Sequence, residues 1–132
     1  MKLARPLRLI AMIAALFAVV LGLGTYTHAD FTNAHMLFGL LVAISLLILA
    51  LLAAFTDGLR RLGIIGIVYA IILPLFGVTQ QMILPGEWHW LIEAAHLLVG
   101  FGAIALSATL SARLVQSKQQ ASRSAREAQL VG

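Results

Sequence analysis

Four long apolar stretches without a charged side chain divide the sequence, at residues 9–29, 31–56, 62–86 and 94–112. Each is 19 to 26 residues long, and an α-helix needs about 20 residues to cross a hydrocarbon layer about 30 Å thick. Continuous apolar runs indicate helices rather than the alternating strands of a membrane barrel. The pattern therefore predicts an all-α membrane protein, a bundle of four transmembrane helices.

Composition excludes an ordinary soluble domain. Hydrophobic residues make up 61% of the 132 residues, charged residues only 11%, and the mean hydropathy is +1.00, whereas soluble domains carry about a quarter charged residues. The chain has no cysteine, which excludes disulfides, thiolate metal sites and a dithiol redox centre. Any redox chemistry would therefore reside in a bound cofactor. We expect membrane lipid, and no nucleic acid, around this basic chain.

The basic residues predict how the helices are oriented. All nine precede the first stretch, separate the second from the third, or follow the fourth: Lys2, Arg5, Arg8, Arg60, Arg61, Arg113, Lys118, Arg123 and Arg126. The opposite connections carry Asp30 and Glu87 and no basic residue. The positive-inside rule then predicts a multi-pass protein of a bacterial or archaeal inner membrane, with cytoplasmic N- and C-termini.

Two domains are expected, a transmembrane bundle over residues 1–114 and a flexible, basic cytoplasmic tail over residues 115–132. The start of the chain resembles a signal peptide, with basic residues before an apolar run and Thr27-His28-Ala29 as a cleavage site. The apolar run is long for that purpose. We therefore expect the segment to be retained as the first helix.

The two halves of the chain resemble each other. A shift of 61 residues pairs five identical residues: His28 with His89, Ala34 with Ala95, His35 with His96, Leu37 with Leu98, and Gly39 with Gly100. This match predicts two helix pairs in the same orientation, a parallel repeat in which the second and fourth helices are equivalent.

His35 and His96 are the strongest candidates for chemistry. Both are predicted near the outer end of their helices, where an ionisable side chain usually turns inward to a partner or cofactor. A neutral imidazole is a good axial ligand for haem iron. Gly39 and Gly100 follow the histidines by four residues on the same helical face, where a missing side chain lets a flat porphyrin approach the backbone. The pattern predicts one haem b, with His35 and His96 as its iron ligands.

Other interpretations of these residues remain open. Chlorophyll could replace haem, or each histidine could form a structural hydrogen bond to a neighbouring helix. The glycines could serve close helix packing.

His28 and His89 precede the predicted ligands by seven residues, about 10.5 Å along a helix. That separation is too short for a second porphyrin in the same bundle. Their candidate roles are contact with haem propionates, a proton path, or the wall of a substrate or quinone site. Alternatively, they are ordinary histidines at the level of the lipid headgroups.

Glu93 precedes His96 by three residues and is the candidate catalytic residue, as a proton donor or acceptor or a hydrogen-bond partner of a ligand. The second helix offers Thr32 and Asn33 near that offset. The alternative for Glu93 is a carboxylate that extends to the outer interface. Gln80 and Gln81 are candidates to line the same pocket.

These residues resemble a known family. A four-helix unit with histidines at the same depth on its second and fourth helices looks like one half of the haem A synthase family, and Glu93-Ala-Ala-His96 resembles that family's Glu-x-x-His motif. The resemblance covers residues 7 to 114. It implies a haem bundle open to the outer leaflet, oxidation of the haem O methyl group, and Glu93 close to that reaction.

Three functions follow as hypotheses. The first is a b-type cytochrome that transfers electrons, with a quinone or a larger respiratory or photosynthetic complex as candidate partner. The second is an oxidoreductase of the haem A synthase type, in which a homodimer rebuilds the eight-helix enzyme. The third is a non-redox accessory subunit or assembly factor of a membrane complex, in which the histidines are structural.

Overall fold

Four α-helices account for most of the chain. A computed structural model describes residues 4–26 and 30–131. In chain order the helices are α1 (Ala4–Tyr26), α2 (Thr32–Ala54), α3 (Arg60–Thr79) and α4 (His89–Val131). A short 3₁₀ turn at Gln80–Met82 follows α3. Each α-helix is long and apolar enough to cross a membrane. The prediction of an all-α, four-helix protein with candidate transmembrane helices is therefore confirmed.

The helices form a bundle in which α2 contacts all three of the others. The α2–α3 and α3–α4 connections are short, and each contains a glycine in a left-handed backbone conformation, Gly58 with φ of 77° and Gly86 with φ of 101°. A side chain at either φ would crowd the following carbonyl oxygen, so glycine is favoured there. Because successive helices run in opposite directions, α2 and α4 run in the same direction and meet inside the bundle.

Packing differs sharply between the two ends of this bundle. Buried residues of α1 lie no further along than Ala15, and those of α3 no further than Leu73. The first buried residues of α2 and α4 are Val42 and Ala103. We call one end the packed half: it contains the N-terminal parts of α1 and α3, α2 from Val42 onward, and α4 from Ala103 to Leu114. We call the opposite end the histidine half: it contains the C-terminal parts of α1 and α3 and the N-terminal parts of α2 and α4.

Small residues let the helices approach closely in the packed half. A side chain added at Gly63 of α3 would overlap the backbone of Ala54 in α2, and one added at Gly66 would come within 2.7 Å of the Ala50 methyl group. The Ser111 hydroxyl on α4 donates a 2.9 Å hydrogen bond to the carbonyl oxygen of Ala4 at the start of α1. Small residues and interhelical hydrogen bonds are the usual means by which membrane helices associate.

Helix α4 continues far beyond the apolar stretch. Leu114 is the last buried residue among those described, and α4 extends from there as a helix to Val131 with almost every side chain exposed. An i, i+4 ion pair joins Arg123 and Glu127 at 3.7 Å. On the outer surface of the bundle, large apolar side chains of all four helices are exposed, which is compatible with helices that could span a membrane.

Candidate functional site

The histidine half brings His35 and His96 together. His35 is the fourth residue of α2, and His96 is the eighth residue of α4. The centres of their imidazole rings are 5.9 Å apart, and the ring planes are tilted by 56°. Both residues are half-buried. Two helices that run in the same direction thus direct one imidazole each into the same space.

His35 is held firmly by helix α1. Its Nδ1 lies 2.7 Å from the carbonyl oxygen of Ala18, and because a carbonyl oxygen can only accept, Nδ1 carries the proton. Gly22 makes this approach possible, since a Cβ there would come within 3.1 Å of both Cε1 and Nδ1 of the ring. In this tautomer Nε2 has a free lone pair. The Nε2 atom of His35 therefore remains available as a ligand atom.

His96 is positioned differently. Its ring lies beside Phe76 of α3, with ring centres 5.7 Å apart and planes tilted by 46°. A Cβ at Gly77 would come no closer than 3.5 Å to the ring, at Cε1, which is ordinary van der Waals contact. The Nδ1 atom of His96 is buried and has no hydrogen-bond partner within the described part of the chain.

Gly39 and Gly100 border open space. No heavy atom among the described residues lies within 4 Å of the position that a Cβ would take at either glycine, the helix's own nearby backbone apart. They differ in this respect from Gly63, Gly66 and Gly102, whose missing side chains let another helix or the Tyr69 ring approach. Close packing of helices therefore does not explain Gly39 and Gly100.

The second pair of histidines is not seen as a pair. His28 lies outside the described residues. His89 is half-buried at the start of α4, and its Nδ1 lies 3.4 Å from the carbonyl oxygen of Ile83 in the preceding connection. The structure thus shows His89 in contact with the connection between α3 and α4.

The polar residues that the sequence places near the two histidines are exposed or half-buried. Glu93 is exposed on α4, Thr32 and Asn33 are exposed at the start of α2, and Gln81 is exposed while Gln80 is half-buried. In the described residues, none of these side chains forms a hydrogen bond or an ion pair with His35 or His96.

The spacing of the two imidazoles is compatible with both rings binding one metal. The described residues contain no group of three or more His, Cys, Asp or Glu side chains that could hold a metal ion. A haem needs only two axial ligands from the protein. With metal–nitrogen bonds of about 2 Å, two imidazoles on one metal have ring centres roughly 6 Å apart, which is close to the observed 5.9 Å.

Four neighbours of the two histidines were not predicted from the sequence: Ala18, Gly22, Phe76 and Gly77. Ala18 contributes only its backbone carbonyl, which leaves no trace in a sequence. Gly22 had a detectable signal, because it precedes the α1–α2 connection by about as many residues as His35 follows it. Residues equally far from the turn of an antiparallel helix hairpin lie opposite each other.

No family model, curated protein or solved structure matches this chain.

Proposed function

We propose that this protein is an integral membrane b-type cytochrome that binds one haem through His35 and His96 and transfers electrons. The observation that carries the proposal is the convergence of the two imidazoles, 5.9 Å apart, with the Nδ1–H of His35 already bonded to the Ala18 carbonyl. Ligating histidines typically donate their second ring N–H in this way, which fixes the tautomer and the ring orientation.

The two open glycines support a flat, bulky group between α2 and α4. Gly39 and Gly100 each lie one helical turn beyond a histidine, on the same helical face. With no side chain there, the edges of a macrocycle can lie against both helix backbones. The histidine half has few buried side chains among the described residues, and the positions beside both glycines are open, which supports a group bound there.

The pair of ligands favours electron transfer. A haem bound by two histidines supplies one-electron redox chemistry and has no open coordination position while both are bound. The protein's part is to hold both imidazoles in place and to surround the group with apolar side chains such as Phe76. Because Glu93 is exposed on α4, we assign it no proton transfer, and the synthase-type activity becomes an outcome of the experiment below.

The repeat and the orientation belong to the same proposal. Helices α2 and α4 each carry His-x-x-x-Gly, and we propose that the α1–α2 and α3–α4 pairs are parallel repeats that place these motifs at one depth. The basic residues at the start of α3 and along the end of α4 favour a cytoplasmic location for the packed half. The haem would then lie near the outer leaflet.

The test is an absorption spectrum of the purified full-length protein, expressed with an adequate haem supply. We expect b-type bands in the reduced-minus-oxidised spectrum and about one haem b per chain by pyridine haemochrome. The double variant His35→Ala/His96→Ala should retain no haem. His89→Ala is the matched control, since it removes an imidazole from the same end of α4 and should retain its haem.

Each alternative has its own result. Extraction of haem O or haem A beside haem B would indicate the synthase-type enzyme, and a bound chlorophyll would replace the haem assignment. A well-folded protein without haem or pigment would overturn the proposal and leave the accessory subunit. Haem that persists in the double variant would show that other residues bind it.

A further inference from the structure

The two histidines are held differently by the neighbouring helices. We infer that His35 is the anchoring ligand of the haem and His96 the exchangeable one, so that the α3–α4 side of the haem binds small neutral ligands such as imidazole or carbon monoxide when His96 dissociates. This inference rests on the proposed function and adds to it a second ligand-binding site, on one named face.

The first step concerns the proton on each ring. Coordination through Nε2 requires a neutral imidazole to carry its proton on Nδ1. In His35 that N–H already donates to the Ala18 carbonyl at 2.7 Å, so binding iron requires no change of tautomer and leaves no donor unpaired. The hydrogen bond also raises the basicity of the ligating nitrogen.

The same requirement makes His96 the weaker of the two ligands. Its Nδ1 is buried and has no partner in the described residues, so coordination through Nε2 places an unpaired N–H donor in an apolar environment. A buried donor without an acceptor destabilises the state that contains it. Hydrogen bonds from a ligand's second ring nitrogen typically change metal affinity by about 10- to 100-fold. His35 has such a bond, and His96 has none to any residue that the structure describes.

The neighbouring helices reinforce the difference. Gly22 of α1 brings the backbone so close to His35 that a Cβ would lie 3.1 Å from two ring atoms, while the corresponding approach of Gly77 to His96 is 3.5 Å at a single atom. His96 otherwise touches the ring of Phe76, an apolar surface with no hydrogen-bond acceptor in its side chain. The backbone of α1 thus confines His35 more closely than the backbone of α3 confines His96.

The experiment compares His35→Ala with His96→Ala in the purified full-length protein, with haem affinity measured by titration. We expect His96→Ala to keep its haem in a five-coordinate form that binds carbon monoxide when reduced, and added imidazole should restore the six-coordinate spectrum. His35→Ala should bind haem at least about tenfold more weakly than His96→Ala, the lower limit expected for one such hydrogen bond.

Substitutions of Gly22 and Gly77 test the same inference if His35→Ala or His96→Ala fails to fold. Gly22→Ala crowds the His35 ring and should lower haem affinity, whereas Gly77→Ala makes only ordinary contact with His96 and should bind haem like the wild type. Equal loss of haem in both histidine variants, or the reverse order, would overturn the inference while the proposed function stands. A wild-type protein without haem would overturn both.

Discussion

The hydroxyl of Tyr69 on α3 donates a 2.8 Å hydrogen bond to the carbonyl oxygen of Val99 on α4, one helical turn from His96. The contact depends on Gly102, because a side chain there would overlap the Tyr69 hydroxyl. This hydrogen bond and this glycine therefore join α3 to α4 beside the candidate site, and they hold the helix that carries His96.

Tyr69→Phe removes only the hydroxyl, so we expect a modest loss of bundle stability, about 0.5 to 1.5 kcal/mol, the usual net contribution of one hydrogen bond. Unfolding of the protein in detergent or bicelles measures it. Gly102→Ala should be costlier in the wild type than in the Tyr69→Phe background, since the new methyl group collides with the hydroxyl. Strictly additive effects of the two substitutions would contradict this coupling.

The open space at Gly39 and Gly100 gives a second prediction. Alanine at either position meets no other described side chain or helix and is intrinsically better than glycine in a helix by about 1 kcal/mol. In the haem-free form, Gly39→Ala and Gly100→Ala should therefore be at least as stable as the wild type. Their haem affinity should be lower than that of the wild type, and that of Gly39→Leu and Gly100→Leu should be lower still. Titration with haem beside unfolding of the haem-free form measures both effects. Unchanged haem affinity in Gly39→Leu and Gly100→Leu would show that no macrocycle lies there.

Two serines one turn apart on α4 form a matched pair. Ser107 and Ser111 are both almost fully buried, but Ser111 donates to the Ala4 carbonyl whereas the Ser107 hydroxyl has no partner among the described residues. Ser111→Ala should destabilise the bundle by about 0.6 kcal/mol or somewhat more, as such bonds do between membrane helices. Ser107→Ala should be neutral or stabilising. Equal effects in an unfolding experiment would contradict the assigned hydrogen bond.

The absence of cysteine makes the orientation directly testable. Asp30 and Asp57 are both exposed and lie in the connections at opposite ends of α2, so single substitutions to cysteine introduce one thiol each. A membrane-impermeant maleimide should label Asp30→Cys in intact cells and Asp57→Cys only after the membrane is opened. Labelling in the opposite order would place the histidine half at the cytoplasmic side.

The length of the apolar stretches predicted the helices well, but it missed their ends. The fourth stretch ends at residue 112, yet α4 continues to Val131. Gln, Lys, Arg, Ala and Glu dominate that continuation and are strong helix formers, so the helix persists where the apolar composition stops. Hydropathy locates the part of a helix that lies in lipid, and helix propensity decides where the helix ends.

The candidate site was predicted only in part for a similar reason. The repeat identified His35, His96 and their glycines because they are side-chain identities at a fixed offset. It also made the two histidines look equivalent, and the structure shows that they are not, since one ring meets the Ala18 carbonyl and the other meets Phe76. Which backbone carbonyl faces a ring depends on helix packing, and a repeat in sequence carries no information about it.

The central claim is that His35 and His96 coordinate the same iron. Near-infrared magnetic circular dichroism of the oxidised, haem-loaded protein tests it most directly, because the charge-transfer band identifies the pair of axial ligands. We predict a low-spin band typical of two histidines in the wild type, which is lost in His96→Ala and restored by added imidazole. A wild-type band typical of any other ligand pair, or one that His96→Ala leaves unchanged, would contradict the account.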